Sequence, residues 1–435
     1  MSKHIHKIGF YTAISIVIAN MIGTGVFTSL GFQVLGIQSG SALLALWIVG
    51  GVLALCGALT YGEIGAAYPE NGGEFHYLSK LYHPALGFLS GWVSVTVGFA
   101  APIAAASMAL GKYVQSMFPN VDVLFLAIAV IILITIIHSI NLRSGSAFQR
   151  VFTLIKVSVI LLFIAFGLMY EPNFHMSFAL NSQSTDQIFS SSFATSLIYV
   201  TYAYSGWNAA AYISGEIKDV NRNLPRALVF GTLIVLVIYT LLNFVFLYST
   251  PIETLKGQVE VGYLSANEIF GSNIGKYMSL AIAILLISTI SAMILAGPRV
   301  MQSMGKAIPS LSFFSTTNKN NVPYIAIGFQ SVIAIGLVIF SSFDSLINYI
   351  GFTLNLFTFL TVFGIFILRY KKREVVRPFK TPLFPLPPIL FLLIIGWILV
   401  NVLMTKTTES LLGLLTVLGG LGFYYITLKL DKKKK

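Results

Sequence analysis

Apolar runs of membrane-crossing length follow one another along nearly the whole chain, divided by short polar or basic stretches. They predict twelve helical spans, at roughly 9–34, 41–66, 84–111, 121–141, 150–170, 188–214, 226–249, 277–299, 323–342, 345–369, 386–405 and 409–428. The short alternating segments of an outer-membrane β-barrel are not the pattern here, so the class is polytopic and all-helical. Two runs are broken midway by glycine: Met21-Ile22-Gly23-Thr24-Gly25-Val26-Phe27 in the first span, and Tyr202-Ala203-Tyr204-Ser205-Gly206-Trp207-Asn208 in the sixth. In lipid a helix satisfies its own backbone, so a break at membrane depth is tolerated only where the freed N–H and C=O groups line a protected polar site. A matched pair of breaks in two halves of a chain points to the substrate site of a transporter.

Composition agrees with this reading. Of the 435 residues 56% are hydrophobic and only 10% charged, where soluble domains carry roughly a quarter charged; the mean hydropathy is +0.84. The stretch after Lys3 and Lys7 superficially resembles a signal peptide. It runs on too long and lacks a small-residue cleavage site, so it is expected to stay as the first span. A single cysteine, Cys56 in the second span, permits no intramolecular disulfide and no thiolate metal site. Of 27 basic residues, 22 fall in the tails and the loops on the N-terminal side, four in the opposite loops, and Lys156 within a span. By the positive-inside rule both termini are cytoplasmic. That asymmetry accounts for the formal charge of +12 without a nucleic-acid partner, and Lys432 to Lys435 read as an anchor near anionic headgroups.

Breaks in spans one and six imply two five-span repeats, with spans eleven and twelve outside them. The expected division is a transport core over 1–370, with repeats at about 9–170 and 188–369, followed by 371–435 holding a basic loop, two helices and a basic tail. A half-helix starting near Gly25 offers unpaired amides and a positive dipole end for a carboxylate, with Thr24 adding a hydroxyl. Carbonyls around Tyr202, Ala203 and Ser205 can accept from an ammonium. Together they suit a zwitterionic amino acid. The plainer reading of Gly23-Thr24-Gly25 is close helix packing; a second break beside Tyr202, Tyr204, Trp207 and Asn208 weighs against packing alone.

Lys156 sits inside the fifth span, where a charge at the bilayer centre costs roughly 2.5–3.5 kcal/mol. It either has a partner or snorkels toward the end marked by Arg150. Glu63 reads as a structural partner for loop arginines or as a proton carrier. No His, Cys, Asp or Glu has metal-ligand spacing, and no nucleophile motif or phosphate loop appears, so neither enzyme nor cofactor is expected. The spans show no continuous polar lining for a channel and no nucleotide site for a pump.

These residues resemble the amino acid, polyamine and organocation transporters, nearest to the L-type amino acid transporter branch. Ile22-Gly23-Thr24-Gly25-Val26-Phe27 is similar to the family's glycine-small-glycine signature, and Tyr61-Gly62-Glu63-Ile64-Gly65 with Gly72-Gly73-Glu74-Phe75-His76-Tyr77-Leu78 to its loop signature. The strongest likeness runs from Tyr204-Ser205-Gly206-Trp207-Asn208 through Gly215-Glu216 to Asn223-Leu224-Pro225-Arg226-Ala227. The resemblance implies an all-α integral membrane protein of twelve transmembrane helices, in the five-plus-five inverted repeat named after the bacterial leucine transporter. It implies a bacterial cell membrane as the location. It implies carboxylate binding at Gly23, Thr24 and Gly25, amino-group binding near Met21, Tyr202 and Ser205, and an aromatic gate at Tyr202, with Ile22 and Ala203 also counted in the substrate-binding set. Tyr204, Gly206, Asn208 and, in span ten, Asn355 complete the implied pocket. Lys156 matches a lysine that in sodium-independent members stands in for a bound sodium, linking span one to Ser288 or Ser291 of span eight.

The expected function is secondary transport or exchange of neutral L-amino acids, independent of sodium, by alternating access. Proton-coupled symport is the alternative. A basic amino acid or polyamine antiporter is disfavoured because no acidic side chain is expected in the cavity. Animal relatives that pair with a glycoprotein use a cysteine after span three; Gly111 to Val121 has none, so no disulfide-linked heavy chain is expected.

Overall fold

The computed structural model describes residues 8–140 and 145–434, the side chains of 145–150 and 433–434 excepted. Lys3, Lys7, Arg143 and Lys435, counted above in the charge asymmetry, lie outside the described residues. Ten helices among the described residues are long and apolar enough to cross a membrane. They run over Phe10–Thr28 with its break, Gly40–Ala67, Pro84–Gln115, Val123–Ile140, Val151–Leu168, Val220–Ser249, Ser272–Ala307, Phe343–Tyr370, Leu386–Thr405 and Thr407–Lys432. Two of the twelve expected spans take a different form. Span six is a helix of 14 residues, Ser191–Tyr204, followed by a 3₁₀ segment, Ala209–Glu216; span nine is a 17-residue helix, Tyr324–Phe340.

Serine starts several of these helices for a local reason. The hydroxyls of Ser39, Ser190 and Ser342 accept from the backbone amides of Ala42, Phe193 and Ser345, replacing partners that a first turn lacks. In the third span the ladder slackens into a π-helical stretch, Ser94–Phe99. Pro102 follows it and has no N–H to return to Gly98, which removes one bond of the regular ladder. Long helices pair in depth: Gly40–Ala67 packs along Val220–Ser249, Pro84–Gln115 along Ser272–Ala307, and Val123–Ile140 along Tyr324–Phe340. Short helices that hydropathy does not signal, Glu74–Leu81 and Val261–Phe270, fill the ends of the bundle.

Glu63 settles into a structural network. Its fully buried carboxylate takes Nε of Arg369 at 2.8 Å and the second guanidinium nitrogen at 2.6 Å, and accepts from the amide of Thr381 at 2.6 Å. The guanidinium lies 3.7 Å from the Phe384 ring centre. Two helices and the basic loop beyond them are thereby tied at one end of the bundle. Removing one partner of such a buried pair costs about 3–5 kcal/mol, so Glu63→Gln should melt at a clearly lower temperature than the parent in detergent. Replacing Glu63 and Arg369 together by leucine and methionine should recover most of the loss. An unchanged melting temperature in the single variant would remove the pair from the account of stability.

Candidate functional site

Helix Phe10–Met21 ends where Ile22 turns extended, at φ −74° and ψ 90°, and helical geometry resumes at Thr24, φ −65° and ψ −42°, ahead of the helix Gly25–Thr28. The Ile22 amide still closes the first half-helix on the Ile18 carbonyl at 2.9 Å, so the gap in the ladder falls at Gly23 and Thr24. In span six the helix ends at Tyr204, Ser205 is extended at ψ 145°, and Gly206 adopts φ +95°. An L side chain there is disfavoured by conformation as well as by space, since a Cβ would lie 2.7 Å from the Asn20 carbonyl oxygen. At Gly25 a Cβ would lie 2.5 Å from the Ala203 Cα. The two broken spans therefore touch backbone to backbone. Close packing and an interrupted ladder are both properties of the same motif, and the two readings of Gly23-Thr24-Gly25 are not exclusive.

Two side chains brace the breaks. Tyr239 of the Val220–Ser249 helix is fully buried and directs its hydroxyl at the Met21 carbonyl, 2.5 Å away, and the Ala203 carbonyl, 3.3 Å away. Lys156 is buried, with Nζ 2.7 Å from Oγ1 of Thr289 and 3.4 Å from the Ile22 carbonyl. It has a partner in each of two spans and does not snorkel. The span-eight partner, however, is neither Ser288 nor Ser291. Ser291 instead pairs with His138 of the fourth span at 2.7 Å, and Ser288 faces elsewhere, because successive helical residues point about 100° apart.

Both breaks open onto one cavity of about 1160 Å³. Met21, Gly23, Thr24, Gly25, Tyr202, Ala203, Tyr204, Ser205, Gly206, Asn208 and Asn355 all line it. Ile22 does not; its side chain is buried behind the break and its carbonyl serves Lys156. Thr24 lies beside the Tyr202 hydroxyl, while the Tyr204 hydroxyl turns away to the Trp47 carbonyl at 3.0 Å. Asn355 donates to Oγ1 of Thr201 at 3.0 Å, pinning span ten to span six. The cavity continues past Tyr11, Asn71, Glu216, Arg299 and Ser303 to the end of the bundle where the basic loops gather.

The opposite end is shut. Phe32 stacks on Tyr199 and on Phe343, each at 5.7 Å between ring centres. Beside the stack Asp344 takes the Tyr199 hydroxyl and pairs with Lys406 at 2.8 Å.

Sequence reasoning missed Tyr239, Thr289 and the π-helical stretch; a lone Tyr or Thr on an apolar helix carries no periodic signal. It also erred on the cavity's charge. Glu74 and Glu216 line it, although no acidic side chain was expected there. Glu74 leaves no sign in span hydropathy because it belongs to the short loop helix Glu74–Leu81, which folds back against the second break.

The profile of the amino acid permease family matches residues 8–421. The chain is 33% identical to the serine/threonine exchanger SteT of Bacillus subtilis over 429 residues, which cover 96% of each protein. It is 30% identical to the b(0,+)-type amino acid transporter 1 of Mus musculus, covering 97% of this chain and 87% of that one. With the large neutral amino acids transporter small subunit 2 of Homo sapiens the identity is 26%, over 99% of this chain and 82% of the relative. With two broken spans packed around one cavity in an all-helical membrane protein, and with this family match, the chain belongs to the amino acid permeases of the amino acid-polyamine-organocation superfamily, in the L-type branch, and is a transporter of amino acids, not an enzyme.

Proposed function

We propose that the protein exchanges neutral L-amino acids across a bacterial cell membrane, without sodium, by rocking one helix bundle against a scaffold around the paired breaks. The observation that carries this reading is the single cavity onto which both breaks open. A substrate carboxylate would take the amides of Thr24 and Gly25 and share that of Gly23, which already faces the Tyr239 hydroxyl. Its ammonium would take carbonyl lone pairs near Met21, Tyr202 and Ser205. Tyr239 uses one lone pair of the Met21 oxygen, and the Ser205 amide uses one of the Tyr202 oxygen at 3.0 Å, so each retains another. Tyr202 would gate and Asn355 would limit the pocket. Exchange, as opposed to uniport, draws support from the name of the Bacillus subtilis relative.

The architecture belongs to the same proposal: twelve spans, two inverted repeats over about 9–170 and 188–369, and two further helices beyond 371. The depth pairings of spans two with seven, three with eight and four with nine join elements five apart, which supports such a repeat. The open end would be cytoplasmic, since basic loops surround it. Without a cysteine between Gly111 and Val121, no disulfide-linked heavy chain is assigned.

Counterflow in proteoliposomes tests the substrate. Small neutral amino acids should drive uptake of label, and esterified or decarboxylated analogues should not; amines competing as well as amino acids would overturn the assigned polarity.

The two glycines of the first break should behave differently. A Cβ at Gly23 meets only ordinary contacts, the nearest being Thr289 Cγ2 at 3.7 Å. Gly23→Ala should leave the fold intact and weaken substrate affinity, raising KM roughly tenfold, about 1.4 kcal/mol. Gly25→Ala should separate the two broken spans and lower both stability and transport. Equal effects of the two on melting temperature would contradict this assignment.

Lys156 would occupy the place of a bound sodium, holding the first break to span eight. Lys156→Gln and Thr289→Val should reach the membrane at near-parent levels yet exchange at least about tenfold more slowly. Replacing sodium by choline should leave the parent's rate unchanged. Strong sodium dependence would reject the role.

A further inference from the structure

Glu74 is a buried carboxylate at the edge of the cavity with no cation to neutralise it. Oε1 accepts from the Tyr61 hydroxyl at 2.6 Å and from Nδ2 of Asn208 at 3.0 Å. Oε2 accepts from nothing among the described residues, which leaves it free for the cavity that Glu74 lines. One carboxyl group thus joins three parts of the molecule: the second span, the loop helix Glu74–Leu81, and the second break.

The groups that face it are neutral or committed elsewhere. Tyr61 comes from the second span, Tyr212 from the 3₁₀ segment after the break, and Tyr77 from its own helix. His76, on the same helix, faces Glu70 at 3.4 Å. On span ten, Arg369 is held by Glu63. Arg299 lines the same cavity without forming an ion pair with Glu74, and the Glu216 carboxylate accepts from Asn71 at 3.3 Å. With no opposite charge at hand, burial pushes the Glu74 carboxyl up to about 7, against the pull of the Tyr61 and Asn208 hydrogen bonds. The loop helix lies outside the membrane-spanning segments, so the open cavity links this group to solvent at the basic end.

We propose that Glu74 is the proton-exchanging residue of the transport cycle: closing the basic end of the cavity strips water from Oε2, so closure takes up one proton there and reopening returns it to solution. This rests on the alternating-access reading above. The proton comes from solvent at the open end and adds to Oε2. Oε1 keeps its role as acceptor for Tyr61 and Asn208, and no other bond changes. Closure deepens the burial and so raises the group's affinity for the proton. By linkage, acid therefore favours the closed end and alkali the open one. An ionised Glu74 in a sealed site would be a buried charge with neutral partners alone, which is the costly alternative.

Exchange of a neutral amino acid in proteoliposomes, at equal pH on both sides from about pH 6 to about pH 8, should change in rate by at least about fivefold with a midpoint near 7. Glu74→Gln should exchange with a flat profile, and Glu74→Asp should restore the slope with a shifted midpoint. Infrared difference spectra of the purified protein should show a carboxyl C=O band titrating over the same window, absent in Glu74→Gln and displaced in Glu74→Asp. A flat parent profile with amino acid exchange intact, or a Glu74→Gln profile that still slopes, would overturn the proton role and leave the transport assignment standing. If the glutamine variant does not fold, an aspartate variant with the parent's midpoint and band position overturns it equally. Should the parent exchange no amino acid, the transport reading fails, and the infrared titration still decides whether this carboxyl holds the proton.

Discussion

The structure depends on one requirement, that backbone groups freed within the membrane have partners. Two spans give up helical bonds near their middles, and the molecule supplies what is missing from helices that remain whole. Tyr239 answers carbonyls of both breaks with one hydroxyl, and Lys156 answers the Ile22 carbonyl while anchored on Thr289. Each brace comes from an unbroken helix, Val220–Ser249 or Gly145–Leu168. Irregular backbone is thereby held by regular neighbours, and residues of both breaks line the one cavity.

The ends of the bundle are closed and open by different means. Apolar stacking of Phe32 between Tyr199 and Phe343, with the Asp344–Lys406 pair beside it, seals one end. The other is open, and the cavity runs out past Tyr11, Asn71, Glu216, Arg299 and Ser303. There the chain ahead of the first span is fixed to the chain after the second break, through Ile8 N–H to the Glu216 carbonyl at 2.8 Å and Lys218 N–H to the Ile8 carbonyl at 2.9 Å. Those two bonds link the near ends of both broken spans, so movement of one half-span at this end is transmitted to the other.

Which features were legible in the sequence follows from their physical origin. Membrane helices declare themselves by length and apolarity, and the breaks by glycine in an apolar run; among the described residues ten of the twelve expected spans and both breaks appear where the pattern places them. Span six was drawn as one span to 214, whereas its helix ends at Tyr204 and a 3₁₀ segment, Ala209–Glu216, follows the break. Lys156 was legible because a charge in a span is rare, yet its partner depended on helical phase, and a one-residue error moved the assignment to Ser288. The acidic edge of the cavity was illegible because it arises from tertiary folding of a loop helix. Nothing local to Gly72-Gly73-Glu74 says that it will meet Asn208, 134 positions away.

Lys156 and Glu74 share a property that bears on how such a site can move. Neither enters an ion pair among the described residues, and each is partnered by neutral hydroxyl, carbonyl or amide groups. A buried ion pair would carry its own neutralisation from one conformation to the next, and its energy would change little when the surroundings shift. A charge held by neutral dipoles depends on where those dipoles stand. Ile22 and Asn208 belong to the broken segments, so any motion of those segments changes the solvation of a full charge. In the proposed cycle the breaks would therefore do more than offer amides to a substrate: they would make the energy of two buried charges depend on the position of the same backbone, coupling ligand, charge and conformation in one place.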